Sequence, residues 1–379
     1  MKKVAILALH LGSGGIERIT TMLANNLCND YKVEIVSTYK IFNKPFFNLD
    51  SRVSVKYLIP DMVPNEKEFK AALSDFRFIK AYKEGKKALK ILKLKKQTMI
   101  NYIKNSDADV IISTRDTFNT LLGKYGSKYT IKIGWEHNHH NNNKKYIRNI
   151  ISSVSRLDYF VLVSKELTEF YQDIVEPKCV YIPNCLDFYP ENLSSQTDKR
   201  IIFVGRLSPE KDPIETVEVF NLVHKKFPEY HLDIVGDGVL HDKLEDKIEE
   251  LNLGAAVTLH GNRNRDYINE LLSKTQVAIS TSKTESFGIV VLEAFAYGVP
   301  VVAYTRAQGI KEIVTDSYDG FLVENANREI MAKKIMELIT DKNLCEEMGR
   351  NASKTALKYK AENITNMWID LIEKKKKLG

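Results

Sequence analysis

Residues 277–303 read VAISTSKTESFGIVVLEAFAYGVPVVA. Val277–Ser280 is a short β-branched run, Thr281–Glu285 a polar loop, and Phe287–Tyr297 a dense apolar stretch of helical length. Ser286 is placed to cap that helix, Gly298-Val299-Pro300 stops it, and a second β-branched run, Val301–Ala303, follows at once. Strand, helix and strand in this order make a parallel unit, because two parallel strands need a crossover between them. Two glutamates stand in it. Glu285 falls at the carboxyl edge of the sheet, and Glu293 lies about two turns further along, roughly 10–12 Å away. The helical neighbours of Glu293 are apolar nearly all round, so a lone carboxylate there is costly. A hydroxyl-rich ligand would satisfy it, and so would an internal ion pair.

The same alternation runs from end to end. Val4–Leu9, Val33–Ser37, Val53–Leu58, Val110–Ser113, Ile131–Gly134, Tyr159–Val163 and Cys179–Ile182 read as strands of a first series. Ile201–Val204, Leu232–Val235, Val257–His260, Val277–Ser280, Val301–Ala303 and Gly320–Val323 form a second. Near-continuous apolar strands separated by helices predict parallel sheets covered on both faces. A chain of 379 residues suits two domains, and the polar, turn-rich stretch 184–199 is the natural linker. The boundary is therefore set between residues 1–185 and 186–379. Two doubly wound α/β domains create a cleft, and ligands of such sheets bind outside the carboxyl ends of the strands.

Composition narrows the partners. No apolar run approaches the ~18 residues of a membrane span, and the apolar N-terminus is broken by His10 and Gly12 without a cleavage site. The four cysteines form no C-x-x-C pair, which predicts a reducing cytoplasm. Net charge is +7, but residues 1–185 carry 30 basic against 18 acidic side chains while the remainder is acidic. Such asymmetry fits either a domain that meets an anionic surface or a plain solvated lysine face. The excess concentrates in residues 66–104, read as two helices broken at Gly85, where Leu73, Phe76, Ile79, Leu89, Leu92, Met99 and Ile103 recur among the lysines. Residues 70–104 suit a peripheral hold on anionic lipid at the inner face of a membrane, or a stripe packed on the domain's own sheet. No aromatic stacking ladder accompanies the lysines, so nucleic acid is not expected.

Chemistry converges after two strands of the second series. Gly205, Arg206 and Lys211 follow Ile201–Val204, and two cations beside a glycine form a grip for a diphosphate. The helix start at Ser286, Phe287 and Gly288 offers free N–H groups to the same phosphates. With sugar at Glu285 and ribose hydroxyls at Glu293, the parts suit a nucleotide-sugar.

On these residues the chain resembles, over its whole length, the retaining glycosyltransferases of family 4, bacterial enzymes of surface-glycan synthesis with the GT-B fold of two Rossmann-like domains facing across a cleft. The family's paired glutamates match Glu285 and Glu293, and its Gly-Arg-Leu and Lys elements match Gly205, Arg206, Leu207 and Lys211. Gly236-Asp237-Gly238 and the loop to Asn262 and Arg263 match segments that line the nucleotide. Gly14-Gly15 matches the family's glycine-rich loop, and Trp135-Glu136-His137-Asn138 its Glu-His-Asn element, which assigns His137 to the reacting sugar. The resemblance implies an N-terminal acceptor domain, a C-terminal donor domain, and a last helix, about 360–379, packing back on the first. It also implies transfer of a hexose or N-acetylhexosamine, from a donor with uridine as its base, to a glycan or lipid-linked glycan. Ser286 and Gln308 stand where many relatives have glycine, which loosens any inference about the sugar.

Arg206, Lys211 and the helix N–H groups can stabilise the departing diphosphate, so no metal or other cofactor is required. His137, His139 and His140 lack a remote ligand set for a metal. A sugar-nucleotide epimerase on the same fold and a non-enzymatic basic membrane-binding module are the rival readings. A nicotinamide-dinucleotide loop at Gly12–Glu17 is disfavoured by Glu17 at the third glycine position.

Overall fold

The computed structural model describes residues 1–62, 70–71, 73–75 and 77–374. The chain divides into two compact units, one of Met1–Val163, Leu167–Ile182 and Thr365–Gly379, the other of Ser164–Glu166 and Pro183–Ile364. Stretch 184–199 lies within the second unit and is hydrogen-bonded to it, Ser194 N donating to Tyr297 O and Ser195 N to Ser273 O.

The first unit holds β1 (Lys3–Ala8), β2 (Lys32–Tyr39), β3 (Ser54–Ile59), β4 (Val110–Ser113), β5 (Ile131–Glu136), β6 (Tyr159–Leu162) and β7 (Lys178–Tyr181). They form one parallel sheet in the order β3-β2-β1-β4-β5-β6-β7. The second holds β8 (Arg200–Val204), β9 (His231–Val235), β10 (Val257–Leu259), β11 (Val277–Ser280), β12 (Val301–Tyr304) and β13 (Gly320–Val323), parallel in the order β10-β9-β8-β11-β12-β13. Each of the thirteen strands read from sequence falls within two residues of its predicted bounds. The reason is burial on both faces: strands such as Val110–Ser113 and Val301–Tyr304 are buried at every position. In each sheet the order reverses once, between β1 and β4 and between β8 and β11. Crevices at such reversals are where open α/β sheets bind ligands.

Two predicted features differ. No break occurs at Gly85, because one helix runs unbroken through Phe78–Asn105. An interior glycine costs a helix only about 1 kcal/mol, and Ile91, Met99, Tyr102 and Ile103, all buried, hold this one down. Of the stripe named from sequence, Met99 and Ile103 enter the core while Leu73, Ile79, Leu89 and Leu92 remain exposed. Phe76 and part of stretch 66–104 lie outside the described residues. At the other end of the chain, Trp368 of the helix Ala361–Ile372 is buried edge-on to Trp135, 4.9 Å between ring centroids. Glu373 beyond it accepts from Tyr31 Oη at 2.8 Å and pairs with Lys2 at 2.7 Å, all within the first unit.

Candidate active site

In the second unit the functional loops follow the two strands that flank the reversal, β8 and β11, which are hydrogen-bonded neighbours. The loop after β8 carries Gly205, Arg206 and Lys211 and is knitted to the loop after β9: Gly205 N donates to Val235 O at 2.9 Å and Leu207 N to Asp237 O at 3.0 Å. Gly236 makes the approach possible. Its φ is +139°, and a Cβ there would stand 1.9 Å from Gly205 O. Asp212 ends the loop in a left-handed conformation, φ +52°, with its carboxylate between Lys283 Nζ (2.9 Å) and Arg306 Nη2 (3.0 Å). Thr281 Oγ1 donates to Asp212 O at 2.8 Å and Lys283 N to Glu210 O at 2.8 Å. The loops after β8 and β11 are thus one bonded surface.

Across it Lys211 Nζ bonds Glu285 Oε2, with about a fifth of each side chain exposed (20% and 18%). Burial first, and the Arg206 guanidinium second, pull the Lys211 ammonium down to about 8. Arg206 itself reaches into solvent, 73% exposed, 3.6 Å from Glu210 Oε1. Lys211 and Glu285 are therefore brought together, while Arg206 stands solvated on the same loop.

The adjoining helix is Ile289–Ala296, starting later than predicted. Its N-cap is Gly288, left-handed at φ +91°, with no side-chain cap bond, so Ser286 does not cap and Phe287 is not helical. The positive φ at Gly288 ends the helix there. Glu285 stays beside it, its Cγ 3.5 Å from where a Gly288 Cβ would be. The Phe287 ring is buried edge-on to Tyr359 at 5.7 Å.

Glu293 is 6% exposed and paired with Arg265 Nη1 at 2.6 Å. Of the two ways to satisfy this carboxylate, the internal ion pair is the one in place, and Arg265 had not been singled out from sequence. The need for a cation near a buried acid was legible. Which arginine supplies it depends on the turn that begins the helix Arg265–Leu272, capped by Asn264 Oδ1 accepting from Tyr267 N at 3.0 Å. Asn262 and Arg263 are exposed on the preceding loop, where Arg263 lies 4.8 Å over the Tyr267 ring. That loop is anchored by a chain of bonds around buried Asp233: Arg200 and His260 both bond Asp233 at 2.7 Å, and Tyr267 Oη meets His260 Nδ1 at 2.8 Å.

In the first unit, Gly14 precedes the helix Gly15–Leu27, and a Cβ on it would lie 2.0 Å from Glu17 Oε2. Glu17 is buried, its Oε1 3.4 Å from His10 Nδ1 and 3.6 Å from Arg115 Nη2. Space beside Gly15 is open. At the end of β5, buried Glu136 accepts from His137 N (2.9 Å) and Asn138 N (2.8 Å), bonds that oppose the upward push of burial on its carboxyl. The His137 ring packs on Trp135 at 4.3 Å, and its Nε2 is shut from solvent with no hydrogen-bond partner among the described residues. Burial, with Arg115 adding to it, lowers His137 to about 3, so the imidazole is neutral near pH 7. His10, Glu17 and Arg115 were not predicted as site residues, although they follow β1 and β4, which flank this sheet's reversal.

Residues 187–355 match the family model of the glycosyl transferases group 1. Over 380 residues the chain is 27% identical to a Campylobacter jejuni GalNAc-alpha-(1->4)-GalNAc-alpha-(1->3)-diNAcBac-PP-undecaprenol alpha-1,4-N-acetyl-D-galactosaminyltransferase, covering 98% of both proteins. It is also 27% identical over 369 residues to an exopolysaccharide phosphotransferase of Streptomyces coelicolor, where the match spans 94% of this chain but only 39% of the relative. Among solved structures, S. aureus TarM in complex with fondaparinux, alpha-GlcNAc-glycerol and UDP superposes with a TM-score of 0.79 at 18% identity, covering 99% of this chain and all of that one. Two parallel, doubly wound sheets and this likeness make the fold GT-B. The matched residues 187–355 include Arg206, Lys211, Glu285, Glu293 and Arg265, but none of the first unit's candidates.

Proposed function

We propose that the chain is a retaining glycosyltransferase that moves a hexose or N-acetylhexosamine from a UDP-sugar to a hydroxyl of a glycan or lipid-linked glycan in bacterial surface-glycan synthesis, at the cytoplasmic face of the membrane. The observation that carries this reading is the bonded pair Lys211–Glu285 at the β8–β11 reversal, beside the helix start at Gly288 and on the same loop as solvated Arg206. A cation, a carboxylate and free N–H groups at one sheet edge suit the diphosphate and the hydroxyls of a sugar donor. The α-linkage and undecaprenol-linked acceptor in the name of the Campylobacter relative, and UDP in the TarM complex, support the finer assignments.

In the free protein Lys211 and Glu285 neutralise one another. A bound donor offers each a better partner, phosphate for the ammonium and sugar hydroxyls for the carboxylate. As the glycosidic bond breaks, negative charge grows on the leaving diphosphate, and Lys211, Arg206 and the N–H groups of the first helical turn stabilise it without a metal ion. The leaving phosphate then accepts the acceptor's proton on the same face of the sugar. Neutral His137, whose Nε2 has no hydrogen-bond partner among the described residues, is suited to hydrogen-bond the reacting sugar. Arg265 holds Glu293 until ribose hydroxyls reach it.

The test is incubation of the full chain with a panel of nucleotide-sugars, with and without lipid-linked glycan acceptors, and NMR of the product anomer. The expected result is UDP release coupled to an α-linked product, with the rate unchanged by EDTA. A new epimer from donor alone would favour an epimerase, and a rate restored only by a divalent ion would overturn the metal-free grip.

A further inference from the structure

The helix Phe78–Asn105 carries more apolar surface than its packing covers. Ala81, Ile91, Met99, Tyr102 and Ile103 are buried in the first unit. Phe78, Tyr82, Leu89 and Leu92 stay exposed, at 69%, 64%, 68% and 59%. Their spacing of i, i+4, i+11 and i+14 lines them along one side of the helix. Lys83, Lys86, Lys90 and Lys93 run alongside at i, i+3, i+7 and i+10, all exposed, with the Lys86 ammonium 4.7 Å over the Tyr82 ring. The whole helix carries nine lysines against a single acidic residue, Glu84.

The two lines together identify the occupant. A second copy of this chain would set lysines against lysines, which is repulsive. A soluble polyanion would use the lysines and leave the leucines in water. An anionic bilayer uses both, because aromatic and aliphatic side chains enter the boundary between headgroups and acyl chains while lysines beside them meet lipid phosphates. We infer that this face of the helix seats the protein on an anionic lipid surface. The inference does not depend on the transferase chemistry, since no residue in it belongs to the candidate site.

The test is co-sedimentation of the full chain with vesicles of phosphatidylcholine alone and of phosphatidylcholine mixed with phosphatidylglycerol. Binding is expected to the mixed vesicles and to fall with salt. Each lysine of Lys83, Lys86, Lys90 and Lys93 changed to Gln should weaken it about fivefold, and Leu89→Ser with Leu92→Ser should weaken it at least tenfold. Unchanged melting temperatures establish that the variants fold. If the double variant does not fold, Leu89→Ser alone and the salt series on the unaltered protein decide the matter. Absence of binding to mixed vesicles, or binding that survives both sets of changes, would overturn the proposal. So would a dimer in solution that Leu89→Ser dissolves, or polyphosphate binding with no dependence on Leu89 and Leu92.

Discussion

Lys211 is the residue on which the proposed chemistry turns, and its titration gives the proposal a pH signature. Burial and Arg206 hold the ammonium near 8, so in the free enzyme the cation is present below that pH and lost above it. The profile of kcat/KM should therefore fall on the alkaline side with a midpoint near 8, because this parameter reports groups of the free enzyme. Lys211→Arg, which stays charged, should lose this limb in whatever activity it keeps; a limb that persists would assign it to another group. Glu293 and Arg265 make a second residue-scale prediction. Removing one partner of a fully buried ion pair costs ~3–5 kcal/mol. Arg265 is 28% exposed, so water tempers the loss, and Arg265→Ala should lower Tm by roughly 5–10 °C. Glu293→Ala in the same chain should recover part of that drop in thermal unfolding, whereas strict additivity would mean that the pair is not coupled. Sequence placed Lys211 and Glu285 at one sheet edge, 74 positions apart, but the bond between them is a tertiary fact with no local signal.

At the scale of elements, the glycine loops fix the site. Gly236 combines a positive φ with a 1.9 Å approach to backbone, and a carbonyl oxygen cannot swing aside as a side chain could. Gly236→Ala should cost upward of ~1–3 kcal/mol and weaken donor binding with it. Gly15→Ala, with open space around it, is the control and should leave thermal stability unchanged within about 0.5 kcal/mol. The reverse ranking in calorimetry would deny that the loop after β9 shapes the donor site. The strands were legible because burial on both faces writes itself as continuous β-branched runs, as in Val110–Ser113. Helix limits were not. The helix start at Ile289 is set by the backbone of Gly288, and the unbroken course through Gly85 is set by contacts of Ile91, Met99 and Ile103, which outweigh a glycine's local preference.

Over the molecule as a whole, charge and chemistry are divided. The basic excess lies in residues 1–185, with the lysine helix, while the proposed diphosphate grip, Arg206 and Lys211, belongs to the acidic remainder. His10, Glu17 and Arg115 were not legible as site residues because each is an ordinary loop or helix residue until β1 and β4 are known to be neighbours. The central claim concerns the other unit: Arg206 and Lys211 act on the leaving diphosphate more than on the resting donor. Steady-state kinetics of Arg206→Ala and Lys211→Ala with a UDP-sugar and a glycan acceptor test it most directly. The account predicts a fall in kcat of about 10²–10³ for Lys211→Ala, with a smaller rise in donor KM. A rise in KM at unchanged kcat for both variants would contradict it.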